Sequence, residues 1–142
     1  MNGYLVDTNI LSELTKPVPS PAVEAFLRRS KSRVFVSVLS IGEIRKGIAS
    51  LPKGNRRAIL DDWLDNEMRP WLGDRVLPVT LAIAEHWGEL SARLKAKGRP
   101  RPVVDAVPAA TAFKHDLVLV TRNVRDYEDL GVSLFNPWEA GS

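Results

Sequence analysis

The chain has 142 residues, of which 44% are apolar and 26% are charged, and its formal net charge is +3. This composition is typical of one folded domain with a buried core and argues against a disordered chain. The chain has no cysteine, which excludes disulfides, thiolate catalysis and zinc–cysteine sites and fits a cytoplasmic location. No apolar stretch approaches the roughly 20 residues that span a membrane, and no signal peptide is evident. We therefore expect a single domain over residues 1–142.

Short apolar runs alternate with amphipathic segments along the chain. Runs rich in β-branched residues predict strands, and apolar residues recurring every three or four positions predict helices. The predicted strands cover residues 3–7, 34–38, 76–79, 117–120 and 132–135. The predicted helices cover residues 8–16, 22–29, 40–50, 55–71, 81–97 and 105–114. This alternation predicts an α/β fold in which a parallel β-sheet is flanked by α-helices.

Four acidic residues lie just beyond apolar runs, namely Asp7, Glu43, Asp105 and Asp126. Ligands of an open α/β sheet bind at the carboxyl ends of its strands, so we expect these acids to converge there. Converging carboxylates repel one another unless a cation holds them, and Mg²⁺ and Mn²⁺ prefer such oxygen ligands. Each acid also has an ordinary alternative, since Asp7 and Asp105 could cap helices while Glu43 and Asp126 could be solvated. The four together favour a divalent-metal site.

The segments around these acids resemble the motifs of the PIN-domain ribonucleases. The likeness is strongest to the toxins of VapBC-type toxin–antitoxin operons and their FitB-like relatives. The matching segments are Val6–Glu13, Ser37–Ile44, Asp105–Ala112, Val120–Tyr127 and Asn136–Trp138. They are spread over essentially the whole chain. The resemblance therefore implies a PIN-like parallel β-sheet flanked by α-helices.

The resemblance also implies an activity and a set of partners. It identifies the catalytic and metal-binding acids as Asp7, Glu43, Asp105 and Asp126. These would hold one or two Mg²⁺ or Mn²⁺ ions that activate a water for in-line attack on an RNA phosphodiester, leaving 5′-phosphate and 3′-hydroxyl ends. The implied partners are an RNA substrate, a cognate small antitoxin protein and a second copy of the chain in a homodimer. The amphipathic helices at 8–16 and 40–50 are the candidate antitoxin surfaces.

Two residues depart from the usual motifs. Pro108 stands where an aliphatic residue is usual; with Asp105 as N-cap it would occupy the third helical position, where an amide has no partner. Asn123 stands where some relatives have Asp, so either Asp126 or Asn123 completes the site.

Short polar and basic residues beside the acids are candidates for supporting roles. Thr8, Asn9, Thr121 and Asn123 could orient the carboxylates or a water molecule, although helix capping and strand propensity explain the first three equally well. Arg122 and Arg125 could contact RNA phosphate. The basic run over 93–101 is interpreted as a solvated helix end, with phosphate contact as the alternative.

Two other functions stay open. One is a catalytically weak PIN domain that only binds RNA or its antitoxin, a reading motivated by Pro108 and Asn123. The other is a phosphoryl-transfer enzyme or receiver domain with Asp7 as nucleophile. Against the haloacid-dehalogenase form of the latter, Asn9 stands where that family's opening motif carries a second Asp.

Overall fold

A computed structural model describes residues 3–139 of the chain. Within this range a parallel sheet of five strands forms the centre of the molecule. The strands are β1 (Tyr4–Val6), β2 (Val34–Ser37), β3 (Val76–Leu77), β4 (Val118–Val120) and β5 (Leu134–Phe135). Their spatial order is β3-β2-β1-β4-β5, and each neighbouring pair is parallel. The predicted parallel α/β fold is confirmed, and the carboxyl ends of all these strands open at one edge.

Helices occupy the connections between the strands. They are α1 (Thr8–Glu13), α2 (Pro21–Ser30), α3 (Val38–Ala49), α4 (Asn55–Trp63), α5 (Arg69–Leu72), α6 (Leu81–Ala96) and α7 (Val103–Lys114). The helix predicted at 55–71 is present as α4 and α5, joined by a π-helical turn at Leu64–Met68. The helix predicted at 8–16 ends early, at Glu13. In the part of the chain that the structure describes, no helix is long and apolar enough to cross a bilayer.

Successive strand residues point to opposite faces of the sheet and so build two cores. Val6 of β1 and Val120 of β4 belong to the core on the side of α1 to α5. Leu5 and Leu119, their neighbours in sequence, belong to the core formed with α6 and α7. Because β1 and β4 are covered on both faces, they read as continuous apolar runs, which is typical of buried parallel strands.

Helix α7 begins at Val103, two residues earlier than predicted. The carbonyl of Pro102 accepts hydrogen bonds from the amides of Asp105 and Ala106, both at 3.0 Å, and this starts the helix. The prediction that Asp105 is the N-cap is therefore wrong, because Asp105 lies in the first turn. Pro108 consequently lies inside the helix, where its missing amide would otherwise donate to the carbonyl of Val104.

Candidate active site

An open cavity of about 350 Å³ lies at the carboxyl edge of the sheet. Asp7 reaches it directly after β1, Glu43 from α3, and Asp105 from the first turn of α7. The full lining is Asp7, Thr8, Asn9, Ser12, Glu13, Lys16, Glu43, Asp105, Arg122, Asn123 and Trp138. The structure thus brings three of the four predicted acids to one cavity. The fourth acid, Asp126, is outside this lining.

Asp7 is buried, with 5% of its surface exposed, and its side chain caps α1. One carboxylate oxygen accepts a hydrogen bond from the Thr8 amide at 2.8 Å. The other accepts from the Thr121 hydroxyl at 2.9 Å and from the Asn9 side-chain amide at 3.3 Å. Burial raises the pKa of Asp7 to about 6, although the hydrogen bonds from Thr121 and Thr8 act in the opposite direction. A buried carboxylate held in this way is stabilised by an approaching cation.

Thr121 connects Asp7 to the fourth motif. Its hydroxyl is fully buried and also accepts from the Asn9 side chain at 3.3 Å and from the Asn123 amide at 3.1 Å. Thr8 contributes its backbone amide to Asp7, while its hydroxyl donates to Ser40 of α3 at 3.1 Å. Among these supporting candidates, Asn9 and Thr121 therefore contact Asp7 through their side chains, and Thr8 does so only through its backbone.

Arg101 bridges Asp105 and Asp126. Its Nη2 lies 2.9 Å from an Asp105 oxygen and its Nη1 lies 3.5 Å from an Asp126 oxygen. Its Nε is buried without a hydrogen-bond partner among residues 3–139. Partial burial disfavours the charge of Arg101, but Asp126, Tyr127 and Asp105 outweigh this and raise its pKa. The interpretation of the 93–101 run as solvated is therefore wrong for Arg101, because the residue sits between two acids.

Tyr127 fixes the turn that carries Asp105. Its buried hydroxyl donates to the backbone carbonyl of Asp105 at 3.0 Å. Burial and the nearby Asp7 and Asp105 charges raise the pKa of Tyr127, so the phenol stays a neutral donor. Asp126, the preceding residue, lies in a short 3₁₀ helix at Val124–Tyr127.

The cavity also contains residues that sequence reasoning did not select. Glu13 is 5% exposed, pairs with Lys16 at 2.9 Å and accepts the Ser20 amide at 2.8 Å. The hydrogen bond from Lys16 is the main cause of a lowered pKa at Glu13. Trp138 lies under the guanidinium of Arg122, whose carbon is 4.6 Å from the ring centroid. Only the position of Trp138 in the final motif could have indicated its place here.

Arg125 and His86 lie outside the cavity lining. Arg125 does not line the cavity, and its carbonyl accepts a hydrogen bond from Arg99 at 3.2 Å. His86 is buried and stacks on Phe113 with ring centroids 4.2 Å apart, so we interpret it as a core residue.

The oxygen atoms that line the cavity suit a hard divalent cation, although the carboxylates are not close together in this structure. Over residues 3–139, no three Asp, Glu or His side chains lie close enough to hold a metal ion. Four carboxylates, those of Asp7, Glu13, Glu43 and Asp105, nevertheless line one open cavity together with Asn123. A nearby positive charge would stabilise the buried Asp7 carboxylate. Oxygen ligands with room for several waters are the usual environment of Mg²⁺ in proteins.

Residues 4–131 match the family model described as the PIN domain. The chain belongs to the PIN-domain family. This PIN-domain chain is 35% identical to VapC ribonuclease Y4jK of Sinorhizobium fredii, over 95% of this chain and 97% of that protein. It is 31% identical to Toxin FitB of Neisseria gonorrhoeae, over 94% and 97% of the two chains. The resemblance inferred from the motifs is confirmed, and nothing supports the phosphoryl-transfer alternative.

The likeness extends to three dimensions. The crystal structure of FitAcB from Neisseria gonorrhoeae matches this PIN domain with a TM-score of 0.87 at 31% identity. The match covers 95% of this chain and 98% of that one.

Proposed function

We propose that this PIN-domain protein is a metal-dependent endoribonuclease that acts in the cytoplasm as the toxin of a VapBC-type toxin–antitoxin pair. The observation that carries the proposal is the meeting of Asp7, Glu43 and Asp105 at one cavity. It gains support from relatives that are named VapC ribonuclease and Toxin FitB. We further propose that residues 1–142 form a single PIN domain.

In this proposal Asp7, Glu43 and Asp105 hold one or two Mg²⁺ or Mn²⁺ ions. A bound ion would supply Lewis-acid activation of the attacking water and would neutralise charge on the phosphate. Asn123 lines the cavity and would complete the oxygen set, whereas Asp126 acts through Arg101.

The residues around the acids keep them in place. Thr121 and Asn9 hold the Asp7 carboxylate by hydrogen bonds, and Tyr127 anchors the turn of Asp105. Arg101 must release one oxygen of Asp105 before that oxygen can bind a cation.

We propose an antitoxin surface beside the acids. A groove of about 230 Å³ runs between α1, α3 and α4, and it shares Ser12 and Glu43 with the acid cavity. Its apolar lining includes Ile44, Ile48 and Leu60. An apolar segment of the antitoxin would fill this groove and direct its tail into the acid cavity, in agreement with the surfaces expected at 8–16 and 40–50. The proposed assembly also includes a homodimer of the toxin.

A second candidate function is a PIN domain that binds RNA or its antitoxin without efficient cleavage. The observation that favours it is the Arg101 bridge, which occupies Asp105 and Asp126. If Arg101 kept this position in the presence of metal, only Asp7 and Glu43 would remain as free carboxylates among the predicted acids.

The test is cleavage of a structured RNA pool by the antitoxin-free protein in Mg²⁺, Mn²⁺ or EDTA. Asp7→Asn removes the buried carboxylate, and Asp74→Asn is the matched control because Asp74 is exposed and outside the cavity. We expect metal-dependent cleavage by the wild type and by the control, and none by Asp7→Asn. Binding of both metal and RNA without cleavage would favour the second candidate. Absence of metal binding in calorimetry would contradict the proposed metal dependence.

A further inference from the structure

Arg122 and Trp138 form a cation–π pair at the acid cavity, and neither side chain takes part in the proposed metal binding. The guanidinium carbon lies 4.6 Å from the centroid of the indole ring, and both side chains line the cavity with Asp7 and Glu43. Trp138 is half-buried and packs against the larger core, whereas Arg122 is exposed. The indole is therefore a fixed support, and the guanidinium is the part of the pair that meets solvent.

Hydrogen bonds fix the backbone of Arg122 and Trp138 relative to Asp7. The Asn136 side chain donates to the carbonyl of Arg122 at 3.4 Å and accepts from the amide of Trp138 at 2.9 Å. The Arg122 amide donates to the Asn9 side chain at 3.4 Å, and Asn9 also donates to Asp7. The Arg122–Trp138 pair is thus connected to Asp7 by a short chain of hydrogen bonds.

The charge of Arg122 is available to an anionic ligand. The cavity lining contains two cations, Lys16 and Arg122. Lys16 is paired with Glu13 at 2.9 Å, whereas no carboxylate within residues 3–139 forms an ion pair with Arg122. A phosphate that approaches the acids would therefore meet Arg122 as the cation of the described lining that has no ion-pair partner.

A guanidinium that lies over an indole ring can bind a nucleotide in two ways. Its outer face can stack on a base, since unpaired RNA bases stack on arginine planes as well as on aromatic rings. Its N–H groups remain free along the edge of the plane and can donate to phosphate oxygens. The guanidinium is planar by resonance, and its contact with Trp138 restricts its motion, which lowers the entropy lost when a base is bound.

We propose that Arg122 and Trp138 form a nucleotide subsite beside the acid cavity. An unpaired RNA base stacks on the outer face of the Arg122 guanidinium, and the edge of the guanidinium contacts a phosphate. The inference rests on the proposed ribonuclease function and adds to it the place where a nucleotide next to the cleaved bond is held.

The experiment compares two short single-stranded probes of equal length and charge. One is a fluorescein-labelled RNA, and the other is the same strand without bases. Anisotropy titrations in EDTA give the Kd of each probe without cleavage, and the ratio of the two Kd values measures base stacking independently of phosphate attraction. For the wild type we expect the strand with bases to bind about tenfold more tightly, the typical worth of one stacked base.

Three variants separate the roles of ring, plane and charge. Trp138→Leu removes the ring but keeps apolar packing, and its Kd ratio should fall close to one. Arg122→Lys keeps the charge but loses the plane, so it should lose the base preference while it still binds the strand without bases. Trp138→Phe keeps an aromatic support and should retain most of the preference.

A second arginine–tryptophan pair provides the matched control. Arg75 lies 4.9 Å from the ring centroid of Trp71, which is 38% exposed and lies outside the acid cavity. Trp71→Leu should therefore leave the Kd ratio unchanged. A thermal melt of each variant checks folding, and because Arg122 is exposed, Arg122→Lys tests the subsite even if Trp138→Leu unfolds.

The outcomes separate this inference from the ribonuclease proposal. Metal-dependent RNA cleavage together with a Kd ratio that neither Trp138→Leu nor Arg122→Lys changes would overturn the subsite alone. Failure of the wild type to bind RNA would overturn both, whereas binding with the expected Kd ratio but without metal-dependent cleavage would overturn the ribonuclease proposal alone. Loss of the base preference in both variants, with the ratio intact in Trp71→Leu, would support the subsite.

Discussion

Replacing Asp7 by asparagine should make the metal-free protein more stable at neutral pH. Asp7 is 5% exposed, and burial raises its pKa from 3.8 to about 6. Each pKa unit corresponds to about 1.4 kcal/mol, so this shift is worth about 3 kcal/mol of unfolding free energy. Because the folded state binds the Asp7 proton more tightly than the unfolded state, the protonated carboxyl contributes to the free energy of unfolding. This contribution is complete below pH 3.8 and is lost as the pH rises through about 6. Because asparagine does not ionise, the Asp7→Asn variant does not lose this stability at neutral pH.

The assay is urea unfolding in EDTA at a series of pH values. Wild type and Asp7→Asn should be about equally stable near pH 4, and the variant should be more stable by up to about 3 kcal/mol near neutral pH. Added Mn²⁺ should reverse the order, because binding to the folded state at about 1,000 times Kd adds about 4.1 kcal/mol to the wild type alone, which exceeds the advantage of the variant. Equal pH slopes for the two proteins in EDTA would refute the reasoning, since Asp7 would then ionise without cost.

Two further substitutions test the contacts around the acids. Arg101→Gln frees an oxygen of Asp105 and should tighten Mn²⁺ binding in calorimetry by roughly two- to fivefold, which is the typical contribution of a partly exposed ion pair. Arg99→Gln leaves the Arg101–Asp105 pair intact and should not change Mn²⁺ binding. Weaker Mn²⁺ binding by Arg101→Gln would contradict the idea that Arg101 competes with the metal for Asp105. Thr121→Val removes a hydrogen bond that lowers the pKa of Asp7, so the acid limb of the pH–rate profile should move to higher pH, and an unmoved profile would exclude this role.

Much of the fold could be predicted because each buried strand carries its own signal. Leu5 and Leu119 belong to one core and Val6 and Val120 to the other, so β1 and β4 are uninterrupted apolar runs. The predicted start of α7 differs from the observed one because the first hydrogen bonds of the helix run to the carbonyl of Pro102. Every residue has a backbone carbonyl, so the sequence does not indicate which one begins a helix. Local patterns thus identify elements more reliably than the bonds that begin them.

The acids could be predicted because each belongs to a short motif, but their neighbours could not. Arg101 stands four residues before Asp105, a spacing that suits a pair only if the intervening backbone folds as it does at the start of α7. Its second partner, Asp126, arrives from a distant segment. Trp138 reaches the cavity because β5 lies beside β4, which places the final motif next to Arg122. Pairings of this kind depend on sheet order and carry no local signal.

Two cations of the site, Lys16 and Arg101, divide its carboxylates into a paired group and an unpaired group. Glu13 is paired with Lys16 and Asp105 with Arg101, whereas neither Asp7 nor Glu43 forms an ion pair within residues 3–139. A divalent ion that entered the cavity would therefore meet uncompensated charge at Asp7 and Glu43 first. The Asp105 oxygen that Arg101 holds would bind the ion only after Arg101 had moved away, so full coordination by Asp105 would be a second step. Stopped-flow mixing with Mn²⁺ should then show a slow phase in the wild type that disappears in Arg101→Gln, and a single fast phase in both proteins would contradict this order.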